Sequence, residues 1–245
     1  EPDAGVAIGD HCHAGPPSGL AARAIERLLP EQRLTRLTID LIRPVPHAGF
    51  KVVAELTRKG RSVSTATGSI IDAKGVVCAS FNGMLMAKQP ELDVPTHRSD
   101  MGKPEDAILG DFAIKETAHG QPCFIHATQI KYPVGENPDP GPTKLWMKAP
   151  PLLGNETVSP FQRICPLADC GNAYGRNANP WDVVTFANAD LSIVLHREPQ
   201  GEWLGSHAVS YWERDGIGMS DAQLFDQHGS VGRALQTLVL RPPPR

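Results

Sequence analysis

The sequence lacks an excess of basic charge: 24 Lys and Arg stand against 27 Asp and Glu, a formal net charge of −3 over 245 residues. Nucleic-acid and anionic-membrane binders are normally basic, so neither partner is expected. No apolar run reaches the roughly 18–20 residues that span a bilayer. Glu1-Pro2-Asp3 offers neither the basic nor the apolar region of a secretory signal. Cysteine is sparse and odd in number, at Cys12, Cys78, Cys123, Cys165 and Cys170. Such scattered thiols form no disulfide framework and point to a reducing, cytoplasmic setting. His11-Cys12-His13 is the one metal-like cluster, but ligands one residue apart on an extended segment rarely converge. No metal and no cofactor is expected. Gly-x-Ser-x-Gly, a phosphate loop and a dinucleotide fingerprint are also absent, so an α/β-hydrolase and a Rossmann domain lack support.

What is present is a globular composition, with 40% hydrophobic residues and 23 Gly. Proline also numbers 23, about double its usual ~5% share, and predicts many hard-stopped loops. Leu20, Ala21, Ala24, Ile25, Leu28 and Leu29 fall at helical spacing, with Pro16 and Pro17 ahead and Pro30 behind. Strand patterns follow at Leu34–Ile42, Phe50–Thr57, Ser62–Ile71 and Val76–Met86, separated by proline and glycine turns. The second half repeats the order. A helix is predicted over Pro160–Tyr174, then strands over Val183–Leu195, Trp203–Trp212, Gly218–Phe225 and Val231–Leu240. Arg43 and Arg197, Asp72 and Asp226, and Gly75 and Gly229 are each 154 residues apart, and Asn82 falls opposite Gln236. Matching order and punctuation indicate a duplicated unit. Lys88–Glu116 reads as a linker, and Phe124–Tyr132 and Thr143–Lys148 as the first strand of the second unit.

Three stretches carry a family resemblance. His13-Ala-Gly-Pro-Pro17 is similar to a His-Gly-Gly-Pro-Pro helix start, with Ala14 in place of the first glycine. Asn188-Ala-Asp-Leu-Ser-Ile-Val-Leu-His-Arg197 with Gly201-Glu-Trp-Leu204 resembles a later strand and turn, and Gly229-Ser-Val-Gly-Arg-Ala-Leu-Gln236 the final strand. Together they resemble the double-hotdog proteins related to bacterial acyl-CoA thioesterase II. That resemblance implies an α+β tandem (double) hotdog, two antiparallel sheets forming one continuous sheet, each wrapped around a central helix. The units would span 1–110 and 111–245.

The implied activity is hydrolysis of acyl-CoA to free fatty acid and CoA by an activated water, with acyl-CoA as the partner. The implied assembly is a monomer or a homodimer of double hotdogs. Carried over by position, the catalytic groups are Asp190, Ser210 and Gln236. A one-residue slip decides between Ser210 and Tyr211, and Ser210 keeps a small hydroxyl. Gly15 would let substrate approach the backbone at the helix start, where N–H groups favour an oxyanion. Asp169 is the alternative acid, since single-hotdog thioesterases carry one on the helix. Two other functions fit the same fold: a non-catalytic acyl-CoA or lipid-binding module, and an enoyl-CoA hydratase or dehydratase. The last needs an Asp–His pair, for which His196 and His207 lie near Asp190.

Overall fold

Two short strands, β1 (Ala7–Ile8) and β2 (His11–Cys12), pair ahead of the first helix in the computed structural model, which describes residues 7–8, 11–114, 124–179 and 182–243. Helix α1 (Gly15–Leu28) holds Pro16 and Pro17 in its first turn, where a missing N–H costs nothing. Its inner stripe, Ala21, Ala22 and Ile25, is fully buried. Strands β3 (Gln32–Leu41), β4 (Phe50–Arg58), β5 (Val63–Asp72) and β6 (Val77–Ala87) then follow the alternation of the sequence closely. The stretch expected as a linker is irregular where described, apart from β7 (Ile108–Gly110). A 3-10 turn at Phe124–Ala127, β8 (Gln129–Tyr132) and β9 (Thr143–Lys148) lead into the second helical region. Cys12, Cys78, Cys165 and Cys170 are free and buried, and Cys123 lies outside the described residues.

The second half departs from its sequence pattern twice, and both departures shape the site. The single helix expected over Pro160–Tyr174 is split into α2 (Pro160–Ala168) and α3 (Gly171–Tyr174). Ser159 Oγ caps α2 by accepting the Gln162 N–H at 3.1 Å. Pro166 removes a donor from the α2 ladder, and the helix ends two residues later, leaving Asp169 and Cys170 in the turn. The strand expected over Val183–Leu195 is likewise split, into β10 (Thr185–Asn188) and β11 (Asp190–Leu195). Three strands complete the chain, β12 (Leu204–Trp212), β13 (Ile217–Asp226) and β14 (Gly229–Arg241).

Asn188 stands opposite Leu238 of β14, whereas Ser192 stands opposite Leu235. The five residues 188–192 therefore stand against the four residues 235–238, which is a β-bulge centred near Ala189. The bulge reverses the alternation. Leu191, Ile193 and Leu195 point into the core, so Asp190 lies on the outer face, while Asn188 points inward.

Strands β3–β14 form one twelve-stranded antiparallel sheet among the described residues, ordered β4-β5-β6-β3-β11-β14-β13-β12-β9-β8-β7, with β10 also on β14. The order β4-β5-β6-β3 is mirrored by β11-β14-β13-β12. At the join, Thr38 of β3 faces Ser192 of β11, 154 residues on, and Ser192 Oγ is bonded to Thr38 Oγ1 at 3.2 Å. The sequence offset of 154 thus maps this pair onto itself, as a two-fold axis between the halves requires. The helices pack on each other beneath the sheet. A Cβ at Gly15 would lie 2.8 Å from Pro166 Cα, and one at Gly19 would lie 3.2 Å from Gln162 O. Bare α carbons let α1 and α2 cross this closely. No helix among the described residues is long and apolar enough to cross a membrane.

Candidate active site

The turn that Pro166 forces between α2 and α3 aims Asp169 at the start of α1. Asp169 is buried, at 3% exposure. Its carboxylate is held from three elements. His13, just before α1, brings Nδ1 to 2.9 Å from Oδ2. Asn188 of β10 donates from Nδ2 to Oδ1 at 2.8 Å, and Gln236 of β14 adds a longer contact to Oδ1 at 3.4 Å. Gln236 braces the same turn twice more: Nε2 donates to the Asp169 carbonyl at 3.0 Å, and Oε1 accepts the Asn172 N–H at 3.0 Å. Beyond the carboxylate, Cys170 Sγ lies 3.9 Å from His13 Nε2.

His13, Asp169, Asn172 and Asn188 share the lining of a cavity of about 640 Å³. Most of the remaining wall is apolar, including Leu41, Ile42, Val45, Phe112, Phe186 and Val239, and two cations, Arg43 and Arg241, also border it. A small polar cluster in a largely apolar chamber of this size suits an elongated ligand with one reactive polar group.

Burial works against an imidazolium at His13, but the adjoining Asp169 carboxylate, aided by Cys170, outweighs it and lifts the pKa from 6.5 to about 10. A folded-state value above the unfolded one means that this pair contributes fully below pH 6.5 and that its contribution fades as pH rises towards 10. Urea midpoints should therefore fall between pH 6 and pH 10 more steeply in the wild type than in His13→Gln. Parallel slopes in the two proteins would refute the ion pair.

The residues singled out in the sequence are only partly brought together. Gln236 is buried at the site. Asp190 is not with it: the bulge carries Asp190 to the opposite face, where Oδ1 accepts the Thr237 N–H at 2.6 Å. Ser210 faces inward and Tyr211 outward, 54% exposed. Ser210, Ser220 and Gln236 stand opposite one another across β12, β13 and β14. The hydroxyls of Ser210 and Ser220 are buried with no hydrogen-bond partner among the described residues, and Ser210 is not in the cavity lining. The bare α carbon of Gly15, expected to admit a substrate, faces α2 instead. Asn82, aligned with Gln236, lies on the exposed face of β6. His196 and His207 do not meet Asp169, and the Asp–His pair is made by His13.

Sequence reasoning did not assign a role to Asn188 or His13. Asn188 stands in a quoted motif two residues from Asp190, on the side that a regular strand would share with it. Pro166 inside a helical pattern was the available signal that Asp169 closes a turn rather than continuing a helix.

The two-fold frame has a second end with different contents. Glu26, in the last turn of α1, meets the start of α2, as Asp169 at the end of α2 meets the start of α1. Ser159 Oγ lies 2.8 Å from both Glu26 oxygens, and Gln162 Nε2 donates to Oε2 at 2.6 Å. Burial raises the Glu26 carboxyl above 4.5, with those hydrogen bonds opposing. The void beside it is about 10 Å³, room for no more than a water.

Comparison with known proteins gives this geometry a family. The family model for the acyl-CoA thioesterase C-terminal domain matches residues 96–240, and that for the acyl-CoA thioesterase N-terminal domain matches residues 2–86. No curated protein matches the sequence. Among solved structures, the chain resembles an acyl-CoA thioesterase II from Mycobacterium marinum, with 16% identity, 95% and 90% of the two chains covered, and a TM-score of 0.69. It also resembles a conserved protein of unknown function with a hot dog fold from Alicyclobacillus acidocaldarius, at 14% identity, 96% and 89% coverage and a TM-score of 0.72. At these identities the neighbours establish the hotdog type of fold, and the domain matches, one of which spans more than half of the sequence, establish the family: the chain belongs to the acyl-CoA thioesterases and is a thioester hydrolase.

Proposed function

We propose that this chain hydrolyses acyl-CoA to a free fatty acid and CoA by direct attack of a water activated by Asp169, on a tandem hotdog with units 1–110 and 111–245. The observation that carries the reading is the buried carboxylate where an apolar cavity of about 640 Å³ meets its polar cluster. The acyl chain or the pantetheine arm lies along the apolar wall, and the thioester carbon stands by Asp169. Asp169 takes a proton from water as that water attacks. Asn188 and Gln236 fix the carboxylate. Arg43 and Arg241 meet the phosphates of CoA. The mirrored strand order and the two domain matches, ending and starting at residues 86 and 96, support the tandem arrangement. Ser210 lies behind this site as a buttress.

The test is product release from acyl-CoAs of graded chain length, followed by chromatography so that protein thiols do not contribute to the signal. Free acid and CoA in equal amounts support the reading, and binding without release refutes it. The Asp169–His13 pair also favours a second reading, addition of water to an enoyl-CoA. That activity would yield a hydroxyacyl-CoA with no free CoA.

A further inference from the structure

We propose that His13 is the proton donor to the departing sulfur, so that Asp169 and His13 divide the two proton transfers of thioester hydrolysis between the two halves of the chain. The proposal rests on the thioesterase reading above. His13 borders the cavity beside Asp169, and its ring is held from three sides: Nδ1 lies 2.9 Å from the Asp169 carboxylate and 3.2 Å from the Gly15 backbone nitrogen, and Nε2 lies 3.9 Å from Cys170 Sγ. An imidazole against a buried carboxylate carries its second proton, so the site holds an acid and a base in contact before substrate arrives.

The transfers balance without any outside reactant. The water oxygen forms a bond to the thioester carbon as one of its protons passes to Asp169. The tetrahedral intermediate then breaks its C–S bond, the electron pair goes to sulfur, and His13 supplies the proton that makes it the CoA thiol. Nδ1 is the nitrogen that gives up this proton, and Asp169 returns its own to the vacated Nδ1 across their contact, restoring carboxylate and imidazolium. The carboxylic acid product gives up its proton to solvent.

The order of these steps follows from the electrostatics. Asp169 is what holds His13 in its charged form against burial. Once Asp169 has accepted the water proton, that support is gone, burial favours neutral imidazole, and the proton is released when the sulfur becomes basic. Uptake at Asp169 thus triggers delivery from His13.

The test varies the leaving group. One acyl group is presented as its CoA thioester and as its 4-nitrothiophenyl thioester, whose thiolate departs without a proton. His13→Gln should lower kcat/KM on the CoA thioester by about a hundredfold or more and on the aryl thioester by less than about tenfold. An equal loss on both, or none on either, would overturn the role of His13 while leaving the thioesterase reading in place. If the variant does not fold, the wild type decides the matter across a series of alkyl and aryl thioesters. Rates nearly independent of thiol pKa support proton donation, and rates that climb steeply as thiol pKa falls overturn it. A wild type inert to every thioester would overturn the thioesterase reading itself, and the proposal with it.

Discussion

Asp169→Asn should lower kcat/KM on an acyl-CoA by about a hundredfold or more, while Asp190→Asn stays within about threefold. The two carboxylates are close in the alternatives that the sequence offers and far apart in what they can do. Asp169 borders the cavity, 3% exposed, with His13, Asn188 and Gln236 turned towards it. An amide of the same shape keeps the Asn188 side of this arrangement but accepts no proton and cannot pair with an imidazolium. Asp190 accepts one backbone N–H, from Thr237, on the outer face. That contact closes the bulge and has no route to substrate. Circular dichroism of both variants separates lost chemistry from lost fold. An Asp169→Asn protein keeping more than about a tenth of wild-type turnover would remove Asp169 from the reaction.

Arg197→Met should lower the unfolding free energy by about 3–5 kcal/mol, read from urea unfolding. Arg197 grips Asp226 with two nitrogens, Nη1 at 2.5 Å and Nη2 at 2.6 Å, and the Asp226 side chain is fully buried. The same guanidinium donates to the carbonyls of Ser230 and Gly229 at 3.0 and 2.7 Å, closing the β13–β14 turn. The backbone N–H groups of Gln200 and His228 complete the carboxylate's partners, each at 2.8 Å. Burial alone would raise the Asp226 pKa, yet Arg197 and those N–H groups bring it below 3.8. Methionine fills the volume but leaves the carboxylate buried without its cation. The double variant Arg197→Met, Asp226→Asn should recover part of the loss. A single-variant cost below about 1 kcal/mol would mean that water reaches the pair.

Periodicity made the frame legible. The stripe of α1, the alternation of β3–β6 and β12–β14, and the 154-residue offset each report a repeating environment, which a single sequence records directly. Gln236 came from the family resemblance rather than from periodicity, since alternation in its apolar run left the solvent face open to it; the structure buries it. Asp190 was misleading because a bulge is one extra residue whose only trace is in the pairing with β14, a segment distant in the chain. His13 was visible as part of a motif, but its partner lies in the other half. Gly15 was read as the place where substrate approaches the backbone, but its bare α carbon meets Pro166 of α2, a contact between the halves that the sequence of either half does not record.

The two-fold frame also fixes a stoichiometry. Each of its ends brings a helix terminus with an acidic side chain against the start of the other helix, but the void beside Glu26 is about 10 Å³ and the cavity beside Asp169 about 640 Å³. Symmetry of the backbone therefore does not extend to occupancy. A tight-binding inhibitor of the hydrolysis would titrate at one equivalent per chain rather than two, and the Glu26 end, relieved of any need to open, is free to hold the helices together.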